Sequence, residues 1–488
     1  MVRMRASHAA GALALLAAVV TGATALGGSV AAGAGARGER AVVGGAVRFG
    51  ALFAVHGAPA AARAGARCGA VREHYGIQRV EATLRTLDAI NSDERLLSGV
   101  RLGAELRDSC WAPPTALRQT IDLVRDAIAP ADARPRDTST LHCIKGNASA
   151  AAGAAPLVGV LGPGASSAAV QVQNLLQLFS IPQVSYSATS RELSDRARFS
   201  TFFRVVPSDR HQARLLVALL RAHNWTYVHA VHTDESYGQS GMAAFREEAA
   251  RSGVCVARET ALRGAPGARE VAAALARLAA PPRVCVCWCE GRTARALLEG
   301  IARSPAAGAP LRLVASDGWA DRRDVVAGVE RAARHALTLR IRSPYLRDFD
   351  AYYHSLSPFN NTRNPWFQVR APFDIQTLKI KQCKESLSVN YTQEPKLALV
   401  VRGVYALAHA LDAMVRATCG AAPRLGLCAA MLPFNVSLYR KHLAAVRFRA
   451  PDGGFVAFDE NGDPPPEYVN LILSRYYNDL LHAAVSLS

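Results

Sequence analysis

The chain has 488 residues, half of them hydrophobic, and a formal net charge of +18. That length and apolar content exclude a single small module and lead us to expect two or three compact units. The positive excess is chiefly arginine spread over the whole length, which reads as a solvated surface. A nucleic-acid binder would concentrate it on one face or tail and interleave aromatics.

In chain order, residues 1–25 place Arg3, Arg5 and His8 ahead of an uncharged apolar run at 9–20, followed by Ala23-Thr24-Ala25, the pattern of a cleaved secretory signal. Beyond it the longest apolar stretch, 397–415, is interrupted by Arg402, His409 and Asp412, so the sequence offers no clean membrane span. Acceptor sequons at Asn147, Asn224, Asn360, Asn390 and Asn435 agree with a lumenal route. Ten cysteines on that route should mostly be paired, and spacing offers Cys419 with Cys428 and Cys287 with Cys289. The run Cys285, Cys287, Cys289 also suits a metal, but no second Cys/His cluster with ligand spacing lies nearby, and no metal is expected.

From Val47 onward short β-rich runs alternate with helix-period segments, the signature of parallel sheets wrapped by helices. Strands are expected at 48–55, 157–161, 183–186, 201–206, 227–232, 283–287, 311–315, 336–341 and 454–458. Helices are expected at 77–91, 116–127, 168–179, 210–223, 238–252, 405–415 and 438–446, with loops at 130–155 and 359–391. The second half does not repeat the first, which fits two α/β lobes with the chain crossing between them more than once and a cleft between.

The strongest local signal is Leu157-Val-Gly-Val-Leu-Gly-Pro-Gly-Ala-Ser-Ser, a strand and glycine turn that deliver Ser166 and Ser167 to a helix N-terminus. Free backbone N–H groups there favour a carboxylate or phosphate, and simple N-capping by serine is the equal alternative. No G-x-x-x-x-G-K-[ST] or G-x-S-x-G is present, and no nucleophile and base pair stands out, so neither a nucleotide-triphosphate loop nor a hydrolase is supported. No cofactor is implied. Other polar groups recur at strand ends: Ser187-Ala188-Thr189, Asp209, Tyr237 and Asp317. Ligand crevices lie outside the carboxyl ends of strands in open α/β sheets, and acids, hydroxyls and an anion site together suit a zwitterion.

Seven segments then carry a resemblance: Gly162-Pro-Gly-Ala-Ser-Ser, Val172-Gln-Asn-Leu-Leu-Gln-Leu-Phe, Tyr186-Ser-Ala-Thr-Ser, Arg204-Val-Val-Pro-Ser-Asp, Asn224-Trp-Thr-Tyr-Val, Ser316-Asp-Gly-Trp-Ala-Asp-Arg and Asn361-Thr-Arg-Asn-Pro-Trp-Phe. Together they resemble the ligand-binding domain of the metabotropic glutamate receptors, group I in particular, from about Arg48 to Tyr477. The resemblance implies an α/β, two-lobed, type I periplasmic-binding-protein-like Venus flytrap with parallel sheets flanked by helices. It divides the chain into a signal (1–25), a first lobe (46–203 and 342–462) and a second lobe (204–341, with 463–488 returning to it).

By matching position it implies that Ser166, Ser187, Ala188 and Thr189 hold an amino-acid head group, with Asp209, Tyr237 and Asp317 closing from the second lobe. Tyr75, Arg79 and Lys396 would grip the side-chain carboxylate of L-glutamate, and Gly291 and Arg322 would line the pocket. It implies disulfides Cys68–Cys110, Cys287–Cys289 and Cys419–Cys428, an intermolecular bridge through Cys143 in a homodimer, and an unpaired Cys255. Cys383 and Cys285 depart from the family pattern and would be free thiols. The expected function is an extracellular glutamate-binding, non-enzymatic domain of a G-protein-coupled receptor. Coupling to the G protein would run through a membrane domain outside these residues. The competing reading is a soluble amino-acid-binding or decoy protein.

Overall fold

The computed structural model describes residues 40–59, 67–128, 155–304, 311–320, 322–334, 336–357, 360–369, 391–420, 426–465, 471–475 and 483–484. The expected signal at 1–25, Cys143, Cys383, Asn147 and Asn390 lie outside them.

The first sheet begins with β1 (Arg40–Val43) and β2 (Val47–Phe53), followed by helix α1 (Gln78–Asn91), β3 (Leu102–Asp108) and α2 (Pro113–Ile128). It continues with β4 (Leu157–Leu161), α3 (Ser166–Leu176), β5 (Gln183–Ser185) and β6 (Phe202–Arg204). The strand order is β1-β3-β2-β4-β5-β6, parallel except for β1. β2 and β4 are near-continuous apolar runs because helices cover both faces of the sheet.

The second sheet is fed by α4 (Asp209–Ala222), β7 (Tyr227–Thr233), α5 (Ser236–Arg251), β8 (Cys255–Leu262), α6 (Ala268–Arg277), β9 (Val284–Trp288), α7 (Gly291–Arg303), β10 (Arg312–Ala315) and β11 (Leu337–Ile341). The chain then returns to the first sheet's side with α8 (Arg347–Ser355), α9 (Leu397–Cys419), α10 (Val436–Ala444) and the hairpin β12 (Arg447–Arg449) and β13 (Phe455–Ala457). It ends in β14 (Leu471–Arg475) and β15 (Ala483–Ala484), which close the order β15-β14-β11-β10-β9-β7-β8. Three crossings therefore link the two layers, and the fold is the two-lobed type I periplasmic-binding arrangement.

Each sheet reverses its strand order once, at β2/β4 in the first and β7/β9 in the second. Such switch points leave a crevice at the carboxyl ends of the strands, and this is what positions the site. α9 is long and apolar enough to cross a membrane, yet most of its apolar stretch is buried. It packs on α1 and α10 with apolar residues around its whole circumference, as a core helix does.

The disulfides Cys68–Cys110 and Cys419–Cys428 are formed. The expected Cys287–Cys289 bridge is not, and Cys285, Cys287 and Cys289 are buried free thiols. Cys289 Sγ instead donates to the Val231 carbonyl of the neighbouring strand β7 at 3.6 Å. Cys255 is an exposed thiol. Asn224, Asn360 and Asn435 are exposed. The Asn435 side chain caps α10 by accepting from Leu438 N.

Candidate ligand-binding cleft

The glycine turn after β4 delivers Ser166 as the first residue of α3, where no side chain caps the helix. Ser166 Oγ accepts from Ser190 N at 3.3 Å and keeps its own proton available. At the end of β5, Ser185 Oγ accepts from Ala188 N at 2.9 Å and folds the chain back so that Ser187 and Thr189 meet Ser166 at the cavity.

Tyr75 occupies a left-handed conformation (φ 66°) in the single turn that leads into α1. Its ring faces three guanidinium groups: Arg72 at 4.4 Å, Arg79 at 5.1 Å and Arg322 at 5.3 Å from the centroid. Arg79 is completely buried, lies 4.9 Å from the Tyr186 ring on its other side, and donates from Nη2 to Glu394 Oε1 at 2.6 Å. Burial alone would lower its pKa; Glu394 and the two tyrosines raise it, so Arg79 stays charged. Burial and then the neighbouring Arg322 charge lower Arg72 to about 10.

The opposite wall comes from the second sheet. Asp317, just past β10, accepts from Tyr237 Oη at 2.8 Å, from Gln212 Nε2 at 2.9 Å and from Lys396 Nζ at 2.7 Å. Burial raises its pKa, but Lys396 and these hydrogen bonds outweigh that and hold the carboxyl below its usual range. Gln212 Nε2 also donates to Asp209 Oδ1 at 2.8 Å. Burial and then the Asp317 charge push Asp209 well up. Glu290, between β9 and α7, is pushed up to about 7 by burial and then by Glu235. Arg322 donates to Asp324 Oδ2 at 2.6 Å. It folds over Gly291, where an added Cβ would sit 2.0 Å from its Nη1.

These groups line a cavity of about 60 Å³. Of the residues expected from the sequence, Tyr75, Arg79, Ser166, Ser187, Thr189, Tyr237, Asp317, Arg322 and Lys396 line it. Asp209 stands behind Asp317, and Ala188 is buried beneath Thr189. Gly291 acts as the clearance under Arg322. The sequence reading missed Arg72, Trp111, Gly164, Glu290, Gly318, Glu394 and Pro395, which also line the cavity. Glu290 follows the rule of strand carboxyl ends and was within reach of it. Trp111 reaches the site because Cys110 and Trp111 are successive left-handed residues, for which the sequence carries no sign.

Two α/β layers with a cavity lined by charged and hydroxyl side chains where their strand ends meet define a clamshell ligand-binding module. Residues 78–472 match the model of the receptor family ligand binding region. The chain belongs to that family and is a receptor-type ligand-binding domain.

Proposed function

We propose that this chain is the extracellular L-glutamate-binding domain of a metabotropic glutamate receptor-like, G-protein-coupled receptor of class C, working by lobe closure within a dimer. The observation that carries the reading is the convergence of Arg72 and Arg322 on the Tyr75 ring beside the Ser166 helix terminus. Asp324 already pairs with Arg322, and a further anion between the two guanidinium groups relieves their remaining repulsion. A carboxylate entering the cleft recovers its lost hydration only from such partners. Ser166, Ser187 and Thr189 suit the α-carboxylate, and Asp317 with Tyr237 suits the ammonium. Arg72 forms no ion pair among the described residues and, with Arg322 and Lys396, suits a second carboxylate. Calorimetry against the common amino acids tests this directly. Glutamate should bind at least tens-fold tighter than glutamine, as loss of one partner of a desolvated charge pair implies, and equal affinities would discard the assignment.

A second copy of the chain is the proposed partner. Ile121 and Ile128 on α2 and Leu178 just after α3 are exposed apolar side chains on two helices that pack together. Cys143 follows α2 in sequence and would link the copies. A non-reducing gel of the secreted chain should show a dimer band that Cys143→Ser removes. Persistence of the band in the variant would refute the bridge.

A further inference from the structure

Arg204 closes β6 at the first crossing between the lobes and is fully buried. Its guanidinium has five N–H donors, and five contacts use them. Nε donates to Asp463 Oδ1 at 2.6 Å, and Nη2 donates to Asp463 Oδ2 at 3.1 Å and to Ser194 Oγ at 2.5 Å. Nη1 donates to the carbonyls of Ala188 at 3.3 Å and Ser190 at 2.9 Å. Those two carbonyls flank Thr189, which lines the cavity. The Thr189 carbonyl in turn accepts from Asp209 N, the start of α4, at 2.9 Å. On the other side Asp463 belongs to the last crossing, and Gly462 O accepts from Arg204 N at 2.9 Å.

We propose that Arg204 is a positioning residue for the ligand head group: it fixes Thr189 in the cleft by holding the carbonyls on either side, and through Asp463 it ties that segment to the hinge. Thr189 is thereby coupled to lobe movement, since the carboxylate that orients Arg204 sits in the connection between β13 and β14, the last crossing between the lobes. A lysine cannot replace it, because one ammonium cannot span Asp463 and both carbonyls in the fixed fork that arginine provides. The inference rests on the cleft being an amino-acid site.

The test uses the secreted chain with L-glutamate as probe, in Arg204→Lys, Asp463→Asn, Thr189→Ala and the combinations with Thr189→Ala. Calorimetry is run at a temperature where circular dichroism shows each variant folded. Arg204→Lys should weaken glutamate about tenfold, the size of a lost charge-assisted hydrogen bond. Adding it to Thr189→Ala should change affinity by less than about twofold, because a residue acting through Thr189 is not additive with its removal. Unchanged affinity in Arg204→Lys, or penalties that multiply, would overturn the proposal and leave Arg204 a merely structural clamp. Amide exchange without ligand gives a second readout that does not depend on the glutamate reading. Thr189, Ser190 and Asp209 should exchange faster in Arg204→Lys, and unchanged protection overturns the proposal even if the parent binds some other amino acid. Should Arg204→Lys fail to fold, Asp463→Asn decides by the same two measurements.

Discussion

Lys396 Nζ lies 2.7 Å from Asp317 Oδ2, joining the segment that leads into α9 on the first sheet to the loop that leaves β10 in the second. The pair therefore bridges the cleft from one sheet's side to the other. Both partners are largely shielded from water, so the pair is screened little by salt. On the proposed reading, a zwitterionic ligand would separate the two groups and give each a new partner.

Removing the lysine should loosen the two lobes. In Lys396→Met, Asp317 keeps only Tyr237 and Gln212, neither of which belongs to the first sheet's side. X-ray scattering of the ligand-free chain should give a larger radius of gyration than the parent, and glutamate affinity should fall at least tens-fold, the range for a broken desolvated pair. An unchanged ligand-free radius would mean the bridge does not hold the lobes.

The pairing of Arg79 with Glu394 changes what an Arg79 substitution tests. Both side chains are essentially inaccessible, so Arg79→Met strands a buried carboxylate and should cost about 3–5 kcal/mol of stability. Adding Glu394→Gln should recover a large part of that cost, because the uncompensated charge is gone. Thermal denaturation of the two single variants and the double checks this. Additive losses would show that the pair is not the unit. Binding losses in Arg79→Met alone are consequently not evidence of ligand contact.

Gly291 offers the opposite separation of binding from stability. A Cβ there meets the far end of the flexible Arg322 side chain, not backbone, so the guanidinium moves and the helix does not. Gly291→Ala at the start of α7 should leave stability within about 1 kcal/mol of the parent or slightly above it, alanine being the better helix former. Glutamate affinity should drop about tenfold as a charge-assisted contact is lost. A large fall in melting temperature would show that Gly291 serves packing instead.

How far the sequence carried is visible in particular elements. β4 coincides with its expected span at 157–161 because its buried run is bounded by a proline and a glycine turn. β3 was not foreseen, since Glu105, Arg107 and Asp108 break the apolar pattern. The strand buries all three, and Arg48, Arg40 and Asp126 complete the ion pairs. β8 went unseen for a different reason: as the sheet's edge it is largely exposed and reads as polar. Residues of the site that follow a strand end were legible by rule, whereas Glu394 was not, because its meaning comes from Arg79, 315 positions away. No spacing encodes a contact at that range. The same holds for Arg204, whose fork is satisfied by four residues on three segments that only the fold assembles.

Glu290 should give the domain a measurable pH slope. Its carboxyl rises from 4.5 to about 7, first through burial and then through Glu235. An acid raised in the folded state binds more protons folded than unfolded between those two values, so stability falls as pH climbs from about 4.5 to about 7 and is flat above. The span corresponds to about 3 kcal/mol at 1.36 kcal/mol per unit. Asp209, Glu81, Glu235 and Asp459 are raised as well and add slopes of the same sign, so the informative quantity is the difference between parent and Glu290→Gln. The variant carries a neutral isostere of the protonated acid. It should match the parent near pH 4.5 and be more stable by up to that amount at pH 8. Melting temperatures of both proteins at half-unit steps from pH 4.5 to 8 measure the gap. Curves that stay parallel across the window would mean that Glu290 is charged throughout, and that Arg322 and Lys396 outweigh its burial.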